Sequence, residues 1–206
     1  EGVGKWYDEH EELLGKGWLH GIEVVNEDEY YPEAHQWCLE KGLTLIGNSD
    51  IHGTIAEQYG KSPADHRPMT LVLAKDNSAD AVKEALFARR TVVYWRDQLI
   101  GEAQYLSMIF DNAVKPAQAV QLAHAKTAPL LLVNRTDLTF ELTQGTCNAE
   151  LTVPDKVTIP PAGSTIINLR KKGETGPNRC RISYVIDNLR TTPQQRLAIE
   201  WTIAIE

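Results

Sequence analysis

Cysteine is scarce in this chain of 206 residues, and the three that occur, Cys38, Cys147 and Cys180, are widely spaced. No C-x-x-C pair is present, which excludes a zinc ribbon, and the odd number argues against a disulfide framework. A single Cys147–Cys180 bridge stays compatible with an exported protein. The cysteines therefore leave the compartment open between cytoplasmic and exported.

Long apolar runs and clusters of positive charge are also missing. The longest uncharged apolar run, Ala128 to Val133, has the length of a strand, whereas a membrane-spanning helix needs about 20 apolar residues. The net charge is −7 and no Lys/Arg-rich segment occurs, so the positive footprint of a nucleic-acid-binding protein is absent. We therefore expect neither a membrane span nor a nucleic-acid partner. A phosphorylated small molecule stays compatible with this charge, because a metal site can supply positive charge locally.

What the sequence does contain is the composition of a globular protein, with 42% hydrophobic and 24% charged residues. Its hydrophobic pattern changes near residue 112. Before that point short apolar runs alternate with helical stretches, and after it apolar and polar residues alternate one by one. We therefore predict an α/β domain over residues 1–112, followed by an all-β domain over residues 113–206.

Strands and helices alternate in the first half. Strands are predicted at 21–25, 43–47, 69–74 and 91–95, and helices at 32–41 and 78–90. Pro32 suits the first turn of a helix and Gly42 its C-terminal end, while Asn77 or Ser78 suits the N-cap of the second helix. The repeated strand–helix–strand order predicts a mostly parallel sheet.

Alternating apolar residues define the strands of the second half. The alternation covers residues 138–142, 182–186 and 197–205. Turn-forming residues lie between these runs, at 160–163 and 173–177. Several alternating strands separated by turns predict an antiparallel β-sandwich of the Ig-like kind.

The segment from Gly47 to Gly53, with the sequence G-N-S-D-I-H-G, carries the most chemical information. It follows an apolar strand, and active sites of parallel α/β sheets form at the C-terminal ends of strands. Asp50 and His52 are two residues apart, so in an extended segment both side chains leave the same side. A carboxylate and a neutral imidazole are suitable ligands for zinc, manganese or iron. The alternative is an ordinary solvated loop, because D-x-H alone is a weak signal.

This segment resembles the final motif of the PHP (polymerase and histidinol phosphatase) superfamily, a strand ending in G-S-D-x-H whose Asp and His bind metal. Upstream, Gly21 to Asn26, with the sequence G-I-E-V-V-N, is similar to the preceding strand of that family. The resemblance extends through residues 66–70 and 91–95, and is closest to bacterial PHP-type phosphodiesterases with a β-sandwich after the catalytic domain. It implies that residues 1–112 are the C-terminal part of a PHP (β/α) barrel.

The resemblance also implies an activity, which is the metal-dependent hydrolysis of phosphoesters by the intact protein. A phosphodiesterase is implied more than a monoesterase, acting on a phosphorylated small molecule or phosphodiester with two or three divalent ions (Zn, Mn or Fe). Asp50 and His52 are the residues that match metal ligands of the family.

This sequence departs from the family in one respect. The first strand of PHP proteins carries an H-x-H pair, and none of the six histidines of this chain forms such a pair. The simplest explanation is that the chain is the C-terminal portion of a longer protein. We therefore expect the fragment alone to be inactive. A barrel without its first strands exposes a sheet edge, so we also expect a homo-oligomer, a rearranged fold or both.

Further candidate residues lie near the predicted metal ligands. The planar guanidinium of Arg67 suits the binding of a phosphate group, so His66 and Arg67 are predicted to bind the substrate. The alternative is that Arg67 forms an ordinary exposed ion pair with Asp65. Glu23 is predicted to accept a hydrogen bond behind the metal ligands, or else to meet solvent. Asn26 either hydrogen-bonds the substrate or caps a turn.

A second hypothesis makes the β-sandwich the working part of a non-catalytic module that contacts a glycan or a protein partner. Fold alone does not establish this role, and the polar faces of the predicted strands carry mixed charge without an aromatic cluster. A third hypothesis is a PHP-derived protein that has lost catalysis.

Overall fold

The structure, a computed structural model, describes residues 4–59, 66–116, 119–120, 126–146, 151–173 and 179–205. The chain divides into two compact units. The first comprises Glu1–Leu106 and Leu189–Gln195, and the second comprises Ser107–Asn188 and Arg196–Glu206. The functional division at residues 112 and 113 stays a prediction.

The helices are α1 Asp8–Gly15, α2 Pro32–Lys41, α3 Ile55–Gln58, α4 Ala79–Phe87 and α5 Ala103–Ala113. Six strands precede α5, namely β1 Gly21–Asn26, β2 Glu29–Tyr30, β3 Thr44–Asn48, β4 Met69–Val72, β5 Thr91–Trp95 and β6 Gln98–Gly101. The remaining strands are β7 Val114–Pro116, β8 Ala119–Val120, β9 Thr127–Asn134, β10 Phe140–Gln144, β11 Leu151–Thr152, β12 Lys156–Ile159, β13 Ser164–Lys171, β14 Arg179–Arg190 and β15 Arg196–Ile205. The strands and helices predicted in the first half are all present, with small shifts at their ends.

The two long helices of the first unit begin and end for local reasons. Pro32 occupies the first turn of α2, where a missing N–H costs nothing. Gly42 ends that helix in a left-handed conformation (φ +68°), and its N–H donates to the Cys38 carbonyl. Ser78 caps α4, because its hydroxyl accepts a hydrogen bond of 3.2 Å from the Ala81 N–H. These caps confirm both predicted ends of α2 and the start of α4, and they select Ser78 over Asn77. The second helix ends at Phe87, three residues before its predicted end.

A three-stranded sheet in the order β2-β1-β3 carries the residues of greatest chemical interest. β1 and β3 are parallel, with Asn26 beside Asn48 in the register, whereas β2 is antiparallel to β1. Because β1 and β3 run in the same direction, their C-terminal residues meet at one edge of the sheet.

The expectation of a mostly parallel sheet is wrong for β4, β5 and β6, which form an antiparallel meander. Arg96 and Asp97 join β5 to β6 with φ angles of 47° and 56°, the left-handed pair that a two-residue type I′ turn requires. Such a turn folds the chain directly back, so the strands that flank it are antiparallel. Beyond β6, Leu189 and Arg190 of β14 pair with it in parallel. Whether this unit is part of a PHP barrel stays a prediction.

The core of the first unit lies between α2 and the strands. Its buried residues are Val24, Val25, Ala34, Cys38, Leu43, Leu45, Val93, Trp95 and Ile100. Gly47, near the end of β3, approaches β5 so closely that a Cβ atom there would lie 2.4 Å from Val93 Cγ1. Packing against β5 therefore requires glycine at this position.

The second unit is the predicted Ig-like β-sandwich. One of its sheets has the order β12-β10-β14-β15-β8 and the other β11-β13-β9-β7. Exposed and buried residues alternate along β9 and β14, as the period-two pattern predicts. Phe110 of α5 lies edge-on to Phe140, with ring centroids 5.1 Å apart, and helps to fill the core.

Some expectations fall on residues that the structure does not describe. Asp65 and Cys147 are among these, so the Asp65–Arg67 pair and the Cys147–Cys180 bridge lie outside the described residues. Cys38 and Cys180 are both buried. Among the residues that the structure describes, no helix is long and apolar enough to cross a membrane.

His35 of α2 is a titratable group inside the core of the first unit, with 0% of its surface exposed. Its Nδ1 atom lies 2.8 Å from the Tyr30 hydroxyl, and its Nε2 atom has no hydrogen-bond partner among the described residues. Arg190 lies 4.7 Å from the centre of the Tyr30 ring. Burial, and to a smaller extent the charge of Arg190, lower the pKa of His35 from 6.5 to about 4.

Acid should therefore destabilise the first unit through His35. Above pH 6.5 the imidazole is neutral in both folded and unfolded chains; between pH 6.5 and about 4 only the unfolded chain binds the proton. We expect this linkage to remove about 3 kcal/mol of the free energy of unfolding across that interval. Urea unfolding of wild type and His35→Gln at pH 7, 5.5 and 4 measures it. The variant should lose less stability on acidification, and equal losses in both proteins would contradict the assignment.

Replacing Gly47 by alanine should destabilise the protein by about 1–3 kcal/mol, because the added methyl group overlaps Val93. Gly15→Ala is the matched control, since a Cβ at Gly15 meets no atom within 4 Å. Denaturant unfolding of both variants, and of Gly47→Ala in a Val93→Ala background, gives the coupling between the two positions. The cost of Gly47→Ala should shrink when Val93 is truncated. If Gly47→Ala lowered the stability equally in both backgrounds, the contact with Val93 would not be the reason why glycine occupies position 47.

Candidate functional site

The loop that carries Asp50 and His52 leaves the C-terminal end of β3. Asp50 has a φ of +44°, so the assumption of an extended segment at this residue is wrong. Asp tolerates the left-handed region better than most residues, and such conformations concentrate at ligand sites. The two side chains converge nevertheless, because Asp50 Oδ1 and His52 Nε2 are 3.6 Å apart. With 56% and 85% of their surfaces exposed, both side chains are open to a ligand.

The base of this loop is held by a side chain from β4. The Thr70 hydroxyl accepts a hydrogen bond of 2.9 Å from the Gly47 N–H and donates one of 3.0 Å to the Gly47 carbonyl. One threonine thus satisfies both main-chain groups of the residue that lies three positions before Asp50.

Glu23 on β1 lies beside two asparagine side chains. Its Oε2 accepts a hydrogen bond of 2.9 Å from Asn26 Nδ2, and its Oε1 accepts one from Asn48 Nδ2. The parallel register of β1 and β3 brings these groups together at the sheet edge. Glu23 therefore accepts hydrogen bonds from two amides, and its predicted place behind the metal ligands stays a prediction. The sequence did not single out Asn48, although its place at the end of β3 was a usable signal.

His66 and Arg67 precede β4. The His66 ring stacks on Tyr94, with ring centroids 3.9 Å apart and an interplanar angle of 19°. Its Nδ1 lies 3.0 Å from the Arg67 carbonyl, and its Nε2 accepts a hydrogen bond of 3.4 Å from the Asp97 N–H. A carbonyl oxygen can only accept, so these contacts assign the proton to Nδ1. They orient the segment around Arg67, and direct binding of substrate by His66 stays a prediction.

A cavity of about 400 Å³ brings part of the candidate site together. Its lining comes from residues 47–50 of the β3 loop and residues 67–71 of β4 and the preceding segment. Asp50 and Arg67, far apart in sequence, thus border the same space. Glu23 and Asn26 do not line it, but Asn48, which donates to Glu23, does.

Asp50 and His52 fit part of a divalent metal site. They provide one carboxylate oxygen and one imidazole nitrogen on converging, exposed side chains, which is a donor set suited to zinc, manganese or iron. Within the described ranges, no group of three or more His, Cys, Asp or Glu side chains could hold an ion. A four-coordinate ion at this place would therefore need donors beyond these two residues.

Over almost its whole length, the chain is similar to one solved bacterial structure. This is the crystal structure of a two-domain protein containing a predicted PHP-like metal-dependent phosphoesterase from Bacteroides vulgatus ATCC 8482. The two are 34% identical with a TM-score of 0.90, and the similarity covers 97% of this chain and 57% of that chain. The chain thus spans little more than half the length of its neighbour.

Other comparisons concern smaller parts of the chain. WR4, an MSP family member from C. elegans, is 14% identical, with a TM-score of 0.33 over 45% of this chain and 95% of its own. The E. coli chaperone DraB is 12% identical, with a TM-score of 0.33 over 45% of this chain and 53% of its own. No curated protein matches the chain. A family model, DUF5001, described as an Ig-like domain, matches residues 113–202, so the second half of the chain is Ig-like.

Proposed function

We propose that this chain is the C-terminal portion of a PHP-type, divalent-metal-dependent phosphoesterase, a hydrolase of phosphodiesters more than of monoesters. The observation that carries the proposal is the meeting of Asp50 and Arg67 at one cavity, with His52 3.6 Å from Asp50. The similarity to the Bacteroides protein, which is described as containing a predicted PHP-like metal-dependent phosphoesterase, supports it.

Asp50 and His52 would hold one of two or three divalent ions in the intact protein. The two donors converge and face solvent, so an ion could reach them without a change in the core. The rest of the intact protein would supply the remaining ligands. A bound divalent ion would place positive charge against phosphoryl oxygens and lower the pKa of a water molecule.

Arg67 would bind the phosphate. Its guanidinium is planar and always charged, and it can donate two parallel hydrogen bonds to two phosphate oxygens. The stacked ring of His66 and its contact with the Arg67 carbonyl restrain the main chain at this residue. An arginine on a restrained segment loses less entropy when it binds an anion.

The size and lining of the cavity favour a diester over a bare phosphate. A volume of about 400 Å³ lies within the range of small-molecule sites. Met69, which is partly exposed, adds apolar surface near Arg67, which suits an organic substituent on the phosphate. Asn48 lies at the same cavity, and Glu23 fixes its amide. A substrate contact by Asn26 stays a prediction.

The metal assignment is tested by elemental analysis of the intact protein and of this chain after dialysis against Mn²⁺ or Zn²⁺. The intact protein should retain two or more ions, and the Asp50→Ala/His52→Ala double variant should lose at least one, because both side chains are ligands. Asp80→Ala, which removes an exposed carboxylate elsewhere, is the control and should keep the wild-type content. An intact protein without metal under metal-replete conditions would sink the proposal.

The role of Arg67 is tested by the hydrolysis of bis(p-nitrophenyl) phosphate by the metal-loaded intact protein. Arg67→Ala should lower kcat/KM on the order of 100-fold at unchanged metal content, because a charged donor to the phosphate is lost. Arg67→Lys should recover only part of the rate, since lysine lacks the planar fork. Arg181→Ala, in the second unit, should have no effect. A wild-type rate in Arg67→Ala would exclude Arg67 from the site.

A further inference from the structure

β3 leads into the loop of the candidate metal ligands, yet its main chain pairs with only one strand among the described residues, which is β1. Two threonine hydroxyls bond to its main chain from other strands. Thr91 of β5 donates a hydrogen bond of 2.9 Å to the Leu45 carbonyl, and Thr70 of β4 bonds to Gly47. On this side of β3, threonine hydroxyls thus make the hydrogen bonds to main-chain groups that the main chain of a neighbouring strand normally makes.

The Thr70 contact differs from the Thr91 contact in two ways. Thr70 bonds to both the N–H and the carbonyl of Gly47, so it restrains the peptide units on both sides of that residue. Gly47 lies at the base of the loop, whereas Leu45 lies further back within β3. Thr70 also follows Arg67 by three residues, so its hydroxyl connects the segment of Arg67 to the loop of Asp50.

We propose that Thr70 is a positioning residue, which holds the Asp50–His52 loop against β4 in the geometry that binds a divalent ion. It acts through the main chain of Gly47 and is not itself a ligand. Asp50 adopts a left-handed φ of +44°, which is uncommon outside glycine although Asp tolerates it, and contacts that hold the neighbouring chain favour it. The two Thr70 hydrogen bonds are such contacts at the start of the loop. This inference rests on the proposed function, because it presumes that the loop binds metal.

The test compares Thr70→Val, Thr70→Ser and Thr91→Val in the intact protein. Valine keeps the shape of threonine but leaves the main-chain groups of Gly47 without their partner, whereas serine keeps the hydroxyl. Thr91→Val is the matched control, since it removes a buried hydroxyl that bonds to the same strand away from the loop. Thr70→Ala gives the same comparison if valine prevents folding.

The readouts are the affinity for Mn²⁺ or Zn²⁺ by calorimetry and the hydrogen exchange of the Gly47 amide. Thr70→Val should weaken metal binding about 10-fold or more, as is usual when a residue that orients ligands is lost, and should accelerate exchange at Gly47. Thr70→Ser should restore both. Thr91→Val should lower the melting temperature but leave metal affinity within about twofold of wild type.

Two outcomes would overturn the role of Thr70 without affecting the proposed function. The first is a Thr70→Val protein that binds metal as tightly as wild type. The second is a Thr91→Val protein that loses as much affinity as Thr70→Val, because the loss would then reflect general destabilisation. A wild-type protein that binds no metal would instead end the proposed function, so the two failures are distinguishable.

Discussion

The close approach of β3 to its neighbours at Gly47 is the constraint on which the candidate site depends. Val93 of β5 leaves no room for a side chain there, and Thr70 of β4 binds both main-chain groups. The chain that emerges toward Asp50 is therefore restrained at its base by two strands that are distant in sequence. Side chains that must converge on one ligand need such a rigid origin, because small displacements weaken binding.

Near the base of this loop, several side chains of the candidate site are held in place by a contact with a second residue. Glu23 accepts hydrogen bonds from Asn26 and Asn48, and His66 stacks on Tyr94 beside Arg67. The groups assigned to ligand binding, Asp50, His52 and Arg67, remain exposed. This division is physically reasonable, since ligand-binding groups must lose water to the ligand, whereas their supports can be satisfied within the protein.

Asp50 and His52 provide only part of the donor set that a catalytic metal ion would need. Asp50 and Arg67 border one cavity and His52 lies 3.6 Å from Asp50, which is the basis of the proposed phosphoester chemistry. A divalent ion with a catalytic water needs more protein ligands than Asp50 and His52. The similarity to the solved two-domain protein covers 57% of that protein, and in the proposed function the remaining ligands come from outside the residues of this chain. In the described part of the Ig-like second unit, no group of three or more His, Cys, Asp or Glu side chains could hold an ion, and its role as a binding module stays a prediction.

Local sequence determined the elements of the first half, because caps such as Gly42 and Ser78 act within a few residues. It also determined the sandwich strands, since a period of two fixes which side chains face the core. The D-x-H motif marks Asp50 and His52 as candidate metal ligands from the sequence alone. Only the tertiary structure decided the antiparallel course of β4 to β6, the two hydrogen bonds from Thr70 to Gly47, and the meeting of Arg67 with Asp50. These depend on contacts between residues far apart in the chain, which no local pattern of hydrophobicity or spacing encodes.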